Sequence, residues 1–457
     1  MALTEDMQVR VHELVERKRF AELKRLIRET EVHDLTDLLG DLHADDLAVL
    51  FRLLPADEAG DIFGDLEIEQ QEELIATLSS ERIASILNEM PPDERTELLE
   101  ELPGELAQRL LSSLRGDELK TARSLLAYPE DSIGRLMTPE YLAVRPDWTI
   151  EHVLGHIRKV AGEKETLNVL YVVDEHGKLL DEIYLEQVVL AEPDQTVRDL
   201  MDGQAAWLRA GEDQETAIDE FNKYEAVALP VVNNKGVLVG IVTWDDVMDV
   251  VEEEDTEDFH RMVGMGVLEA SYFSTGFLAM MGKRLPWLAM LLAAQTLTTI
   301  ALLGFDRLPL FAVLVLFVPL INSPAGNTGT QMAGLMIRGL AVQELGLSDW
   351  RRVLLREALR GVALGMILAV LGFVAAWAFS NYAHVKGSPT HIAFSVSMAI
   401  AVAVTVANVV GAMLPFFFKR MGLDPAVTSG PFIASLMDVS GIMIYFTIAT
   451  TLLVATG

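Results

Sequence analysis

The sequence contains no cysteine, which excludes disulfides, thiolate metal sites and cysteine nucleophiles. Its first 270 residues are short of positive charge, with 25 Lys and Arg against 62 Asp and Glu, a net of −37. Such a surface repels phosphates and argues against nucleic acid as a partner. It favours cations, which relieve the self-repulsion. The first thirty residues lack the apolar core of a signal peptide, so the N-terminus is expected in the cytoplasm. Residues 271–457 reverse the balance, with 11 Lys and Arg against 6 Asp and Glu. The 457 residues, enough for about three domains, thus join an acidic soluble part to an apolar one.

A bilayer core needs about 20 apolar helical residues. Leu285–Phe305, Val353–Phe379, His391–Phe418 and Pro431–Val454 meet that length. Arg356, Glu357 and Arg360 are expected at the interface, in the first turn of the second of these. Leu308–Ile321 is too short alone. Read with the polar run Asn322–Gln331 and with Met332–Leu340, it gives a fifth span whose polar part must face protein or water. Five spans from a cytoplasmic N-terminus put the C-terminus outside. The basic residues agree: Lys283, Arg284, Arg338, Arg351, Arg352, Arg356, Lys419 and Arg420 fall inside, and only Arg307 and Lys386 outside.

Acids are scarce in these runs. Asp438 lies deep in Pro431–Val454, and an ionisable residue there is functional by default. It reads as a cation site, the alternative being a protonated Asp bonded to a neighbouring helix. Asn408 reads as glue between helices, and Gly361 with Gly365 as a small-residue packing pair. Gly326-Asn-Thr-Gly-Thr-Gln331 offers carbonyl, amide and hydroxyl oxygens to a hydrated divalent ion such as Mg²⁺. The alternative is a hinge between two half-helices.

Residues 1–130 show no strand pattern. Short amphipathic helices, broken at Pro55, Pro91-Pro92 and Pro103, suggest a superhelical stack. His12, His33 and His43 are isolated and carry no catalytic constellation, so no enzyme is expected. After Tyr128–Met137 the pattern changes to strands alternating with helices. Leu167–Val173 and Leu180–Tyr184 flank the turn Asp174-Glu-His-Gly177, and Val227–Val232 and Leu238–Val242 flank Asn233-Asn-Lys-Gly236. The halves 137–200 and 201–252 form an internal repeat resembling tandem CBS domains. The first copy has Asp181 where Gly is usual, which speaks against nucleotide binding there. An acidic helix, Asp245–Asp258, follows. Its close like charges are destabilising unless cations intervene.

Together these parts resemble the MgtE family of magnesium channels and transporters. The motifs are Tyr128-Pro-Glu-Asp-Ser-Ile-Gly-Arg-Leu-Met137, Gly326-Asn-Thr-Gly-Thr-Gln331, Gly422-Leu-Asp-Pro-Ala426 and Asp438-Val-Ser-Gly-Ile-Met-Ile-Tyr445. The expected fold is multidomain: an all-α superhelical domain (1–130), an α/β tandem CBS domain (131–252), an acidic linking helix (245–282) and an all-α pore domain of five transmembrane helices (283–457). The resemblance implies a homodimer in the bacterial inner membrane, with a pore on the twofold axis lined by the second and fifth spans. It assigns Asp438 as the pore carboxylate, with Gly326, Asn327, Gly329 and Ala434 near it, and Gly430 where some members carry Asn. It assigns regulatory Mg²⁺ to Asp213, Glu215, Glu225, Asp246, Asp249, Glu254, Glu257, Asp258 and Asp424. ATP is a candidate ligand of the CBS domains, which the sequence alone does not decide. The expected function is Mg²⁺ uptake, shut off when cytosolic Mg²⁺ bridges these acids. The alternatives are CBS-regulated transport of another solute or divalent cation, a membrane enzyme built on Asp438, and a Mg²⁺ sensor that conducts nothing.

Overall fold

The structure is a computed structural model of the chain. It describes all residues except 1–9, 30–38, 40, 41, 43, 65, 67, 269–271, 273, 274, 309, 343, 386 and 457. His33, His43 and Lys386 therefore lie outside the described residues. The chain divides into two compact units, residues 1–253 and 254–457.

The first unit begins with short helices, several of them started by the prolines. Pro92 opens the helix Pro92–Glu101, and Pro103 precedes Gly104–Leu111. A proline in the first turn loses no helical bond, and its fixed φ suits the turn. Leu, Ile and Phe side chains from successive helices share one core, in which Phe51 and Phe63 meet edge to face at 5.9 Å. The fully buried Arg95 is held by Glu118 at 2.6 Å and by the Leu87 carbonyl at 3.0 Å.

Two copies of one small sheet follow. β1 (Ala143–Val144), β2 (Val169–Val173) and β3 (Leu179–Tyr184) lie in that order, with β1 parallel and β3 antiparallel to β2. β4 (Leu208–Arg209), β5 (Ala228–Val232) and β6 (Leu238–Thr243) repeat the arrangement, including a register shift at the matching place in the central strand. The two hairpin turns are built alike. Asp174 Oδ1 accepts from the N–H groups of His176 and Lys178, and Asn233 Oδ1 from those of Lys235 and Val237. Such side-chain bonds to the backbone two residues on are why Asp and Asn favour turns.

The helix Trp244–Met262 carries the boundary between the units. Five helices in the second unit are long and apolar enough to cross a membrane. The first span is Phe277–Leu303 and the second Phe311–Ala341, whose main helix is Val318–Ala341. The third is Trp350–Tyr382, the fourth Pro389–Arg420 and the fifth Gly430–Thr456.

The polar run Asn322–Gln331 is not a hinge. One helix passes through it, although Gly, Asn and Thr are weak helix formers. Packing on its small face outweighs propensity. The main-chain carbonyls are therefore engaged within the helix, except that Pro324 offers Leu320 no N–H. At Gly329 the second and fourth spans touch backbone to backbone, and a Cβ on Gly411 would lie 2.3 Å from the Gly329 carbonyl oxygen. The third and fourth spans close in the same way at Gly365, beside the Ala401 carbonyl. The first span packs chiefly against the fifth.

Glu357, near the start of the third span, is buried at 4% exposure. Arg360 pairs with one of its oxygens. Asn408 Nδ2 donates to its main-chain carbonyl at 2.8 Å and to its Oε2 at 3.2 Å. A buried charge needs such partners. Asn408 thus ties the fourth span to the third.

Candidate cation path and regulatory carboxylates

The second and fifth spans run against each other along a seam of small residues. Gly326 is buried, and a Cβ there would lie 3.7 Å from Ala434. Gly329 faces Ile433. Farther along, Thr330 Oγ1 donates to the Gly430 carbonyl at 3.2 Å. Ala434 is half-buried, and Asn327 projects from the exposed side of its helix.

Asp438 stands toward the other end of this seam, half-buried. Gln295 Nε2 of the first span donates to its Oδ2 at 3.4 Å, and Asn322 Nδ2 of the second span donates to its main-chain carbonyl at 3.2 Å. Two neutral carboxamides therefore flank the carboxylate, and it forms no ion pair among the described residues. The sequence reading missed Gln295. It included Asn322 only as part of the polar run.

The linking helix ends beside this seam. Met262 approaches Gly334, and its carbonyl lies near Gly430. The preceding residue, Arg261, pairs with Glu257 one turn earlier on its own helix and with Asp424 in the loop before the fifth span. Asp424 Oδ1 also accepts from the Ala426 N–H at 2.7 Å. Glu257 and Asp424 are thus brought together, with a guanidinium between them. Glu254 and Asp258 lie on the same helix, half-buried.

The other acids belong to the first unit. Asp213 is exposed, and its Oδ1 accepts from the Glu215 N–H at 3.0 Å, at the start of the helix Glu215–Tyr224. Glu225 ends that helix in the left-handed region, with φ 50°. Asp246 Oδ2 accepts from the Thr243 N–H at 2.9 Å and the Thr243 hydroxyl at 2.6 Å. Burial nevertheless pushes its carboxyl up to about 6, helped by Asp245 and Asp249. Asp249 is exposed.

Asp246 and Asp249 face acids that the sequence did not single out. Burial first, then Asp246 and Glu165, hold Asp93 well above the usual carboxylate range. One of its oxygens is buried with no hydrogen-bond partner. Glu97 keeps solvent contact along its chain while its carboxyl is enclosed. That enclosure, then Glu101, Asp249, Glu253 and Asp246, push it up to about 7. Desolvation and like charges both disfavour the ionised form, and a bound cation reverses both. Among the described residues no three His, Asp or Glu side chains converge closely enough to hold one metal ion. The acids are neighbours, not a finished cage.

The two small sheets differ at one position. Asp181 of β3 matches Gly240 of β6 in register. Asp181 is buried, and its Oδ2 accepts from the Gly203 N–H at 2.9 Å. Next to it, burial, Asp181 and Asp202 push Glu182 up to about 7.

Known proteins carry the same parts in the same order. A family model described as the MgtE divalent cation transporter matches residues 318–448, and one for the MgtE intracellular N domain matches 30–131. CBS domain models match 133–194 and 197–253. A protein named magnesium transporter MgtE from Thermus thermophilus is 40% identical over 333 residues, covering 73% of this chain and 72% of that one. The chain belongs to the MgtE family. A second MgtE magnesium transporter, from Enterococcus faecalis, is 32% identical over 337 residues, covering 73% of this chain and 72% of its own. Among solved structures, the cytosolic domain of the Mg²⁺ channel MgtE in complex with ATP is 34% identical, with a TM-score of 0.51, covering 53% of this chain and 99% of its own. An MgtE protein is a transporter and not an enzyme, and its CBS pair and apolar helices are those described above.

Proposed function

We propose that this MgtE protein carries Mg²⁺ into a bacterial cell through a pore between the second and fifth spans of a homodimer. Mg²⁺ bound to its acidic cytosolic side holds that pore shut. The observation that carries the reading is Asp438, a carboxylate on the small-residue seam, flanked by carboxamides and unpaired with any base among the described residues. Mg²⁺ gives up water reluctantly and prefers oxygen. One carboxylate with neutral oxygens around it suits the hydrated ion. The relatives named as magnesium transporters support the choice of ion. The exposed Asn327 faces the second protomer in this reading.

Closure follows from charge. With Mg²⁺ low, Asp246 and Asp249 repel Glu97 and Asp93, and the linking helix is free to shift. With Mg²⁺ high, ions between these carboxylates favour one arrangement. Each ion contributes only its differential affinity for the two states. Several sites of ~1–3 kcal/mol each reach the ~5.5 kcal/mol needed to move a population from 1:99 to 99:1. The basic residues at the span ends orient the protein with both acidic domains in the cytoplasm and the C-terminus outside. ATP at the CBS pair belongs to the same reading, with its phosphates kept away from the repelling carboxylates of Asp181, Glu182 and Asp202.

The test is Mg²⁺ flux into liposomes for the wild type and Asp438→Ala, with free Mg²⁺ stepped on the cytosolic face. Flux that requires Asp438 and falls at millimolar cytosolic Mg²⁺ is expected. A folded, inserted wild type that passes no ion would overturn the pore and leave a sensor.

A further inference from the structure

Asn322 is a polar residue whose bonding is only half complete. It is buried at 9% exposure, one turn before Gly326 on the same face of the second span. Its Nδ2 donates to the Asp438 main-chain carbonyl at 3.2 Å, an oxygen that also accepts a bond within its own helix. That contact fixes which way the carboxamide points. The other end, Oδ1, is buried with no donor. It lies over Gly441, where a Cβ would come within 2.3 Å of it. Glycine at 441 leaves the oxygen its room.

A residue serving only as glue between helices would have both ends of its amide bonded. A leucine of similar shape would avoid the cost of a buried oxygen without a donor. An unfilled acceptor beside a carboxylate is what a cation, or the water bound to one, can satisfy. Gln295 brings a second carboxamide to the same carboxylate from another span.

We propose that Asn322 is a specificity-determining residue of the path: its Oδ1 accepts a hydrogen bond from a water of hydrated Mg²⁺ while Asp438 supplies the charge. This rests on the reading of Asp438 as the pore carboxylate. The arrangement favours an ion that keeps its water and disfavours Ca²⁺, which binds protein oxygens directly in larger number.

Full-length protein in liposomes tests this with hexaamminecobalt(III), whose fixed ammine N–H groups imitate bound water. The variants are Asn322→Leu, Asn322→Asp and Asp438→Asn. Block of Mg²⁺ flux in Asn322→Leu is expected to weaken by about tenfold, the worth of one hydrogen bond to a charged complex. The Mg²⁺ over Ca²⁺ preference should fall with it, while the melting temperature stays equal or rises. Asn322→Asp should restore the block, and hexaamminecobalt(III) should raise the melting temperature of the wild type more than that of Asn322→Leu. A leucine variant that melts lower or fails to fold, or one that is blocked as the wild type is, would overturn the inference, since interhelical glue predicts the first and an idle residue the second. If Asp438→Asn also keeps full flux and block, the reading of the pore carboxylate has failed with it. If Asp438→Asn loses them, only the role of Asn322 has.

Discussion

The two units of this protein use carboxylates in opposite ways. In the first, Asp93, Glu97, Asp246 and Asp249 crowd one another, and burial with mutual repulsion drives two of them up to about 6 and 7. In the second, Asp438 stands apart from other acids and is met by neutral amides from two spans. A crowded group responds to the concentration of a cation, because each ion bound makes the remaining repulsion smaller. A solitary group flanked by fixed dipoles responds to the identity of the ion, because geometry decides what fits. In the proposed function, sensing and selecting are thus separable along one chain.

That separation can be broken on the sensing side. Neutralising Asp246, Asp249, Glu254 and Glu257 together, as Asn and Gln, should leave Mg²⁺ flux insensitive to cytosolic Mg²⁺ while ion preference is retained. Retained inhibition in liposomes would end the proposed gate. A smaller effect comes from protons. Glu97 titrates near 7, above its ordinary value, so the folded state holds more protons than the unfolded one through this range. Without Mg²⁺ the protein should therefore gain stability from pH 8 to 6. Inhibition that needs Glu97 ionised should weaken over the same range, the half-inhibiting Mg²⁺ concentration rising about tenfold. Melting curves and flux measured at the two pH values check both signs. The smallest effect concerns Arg261, which holds Glu257 and Asp424. Arg261→Ala should free both carboxylates and lower the half-inhibiting Mg²⁺ concentration by about fivefold, the worth of a partly exposed ion pair. An unchanged or raised value would show that the pair itself helps to close the pore.

Much of this was readable from the sequence, for physical reasons. The five spans stand out because a bilayer demands length and apolarity together. The two hairpins stand out because their turns need Asp or Asn at the start and Gly at the end. Asp438 is conspicuous as an acid deep in an apolar run. Its surroundings are not, since Gln295 and Asn322 lie 143 and 116 residues away in the chain. Their meeting depends on how helices pack. Glu357 read as an interfacial residue because Arg356 and Arg360 flank it. Its bonds from Asn408, on another span, were not readable there. Asp93 and Glu97 were invisible for a different reason. In a stretch where acids are everywhere, a crowded acid and a solvated one look alike. The run Asn322–Gln331 lies within a span, as read; the hinge alternative fails because, although propensity counts its glycines against a helix, the fifth span uses them to pack.

The contact between Gly329 and Gly411 acts like a meshed gear tooth. With the Gly329 carbonyl filling the space a side chain at 411 would need, the second span cannot turn about its own axis without driving a neighbouring side chain into the fourth. The fourth is in turn seated on the third at Gly365. These three helices must therefore travel as a single block. On the proposed function, the path widens by displacement of that whole block, or by the first and fifth spans moving past it.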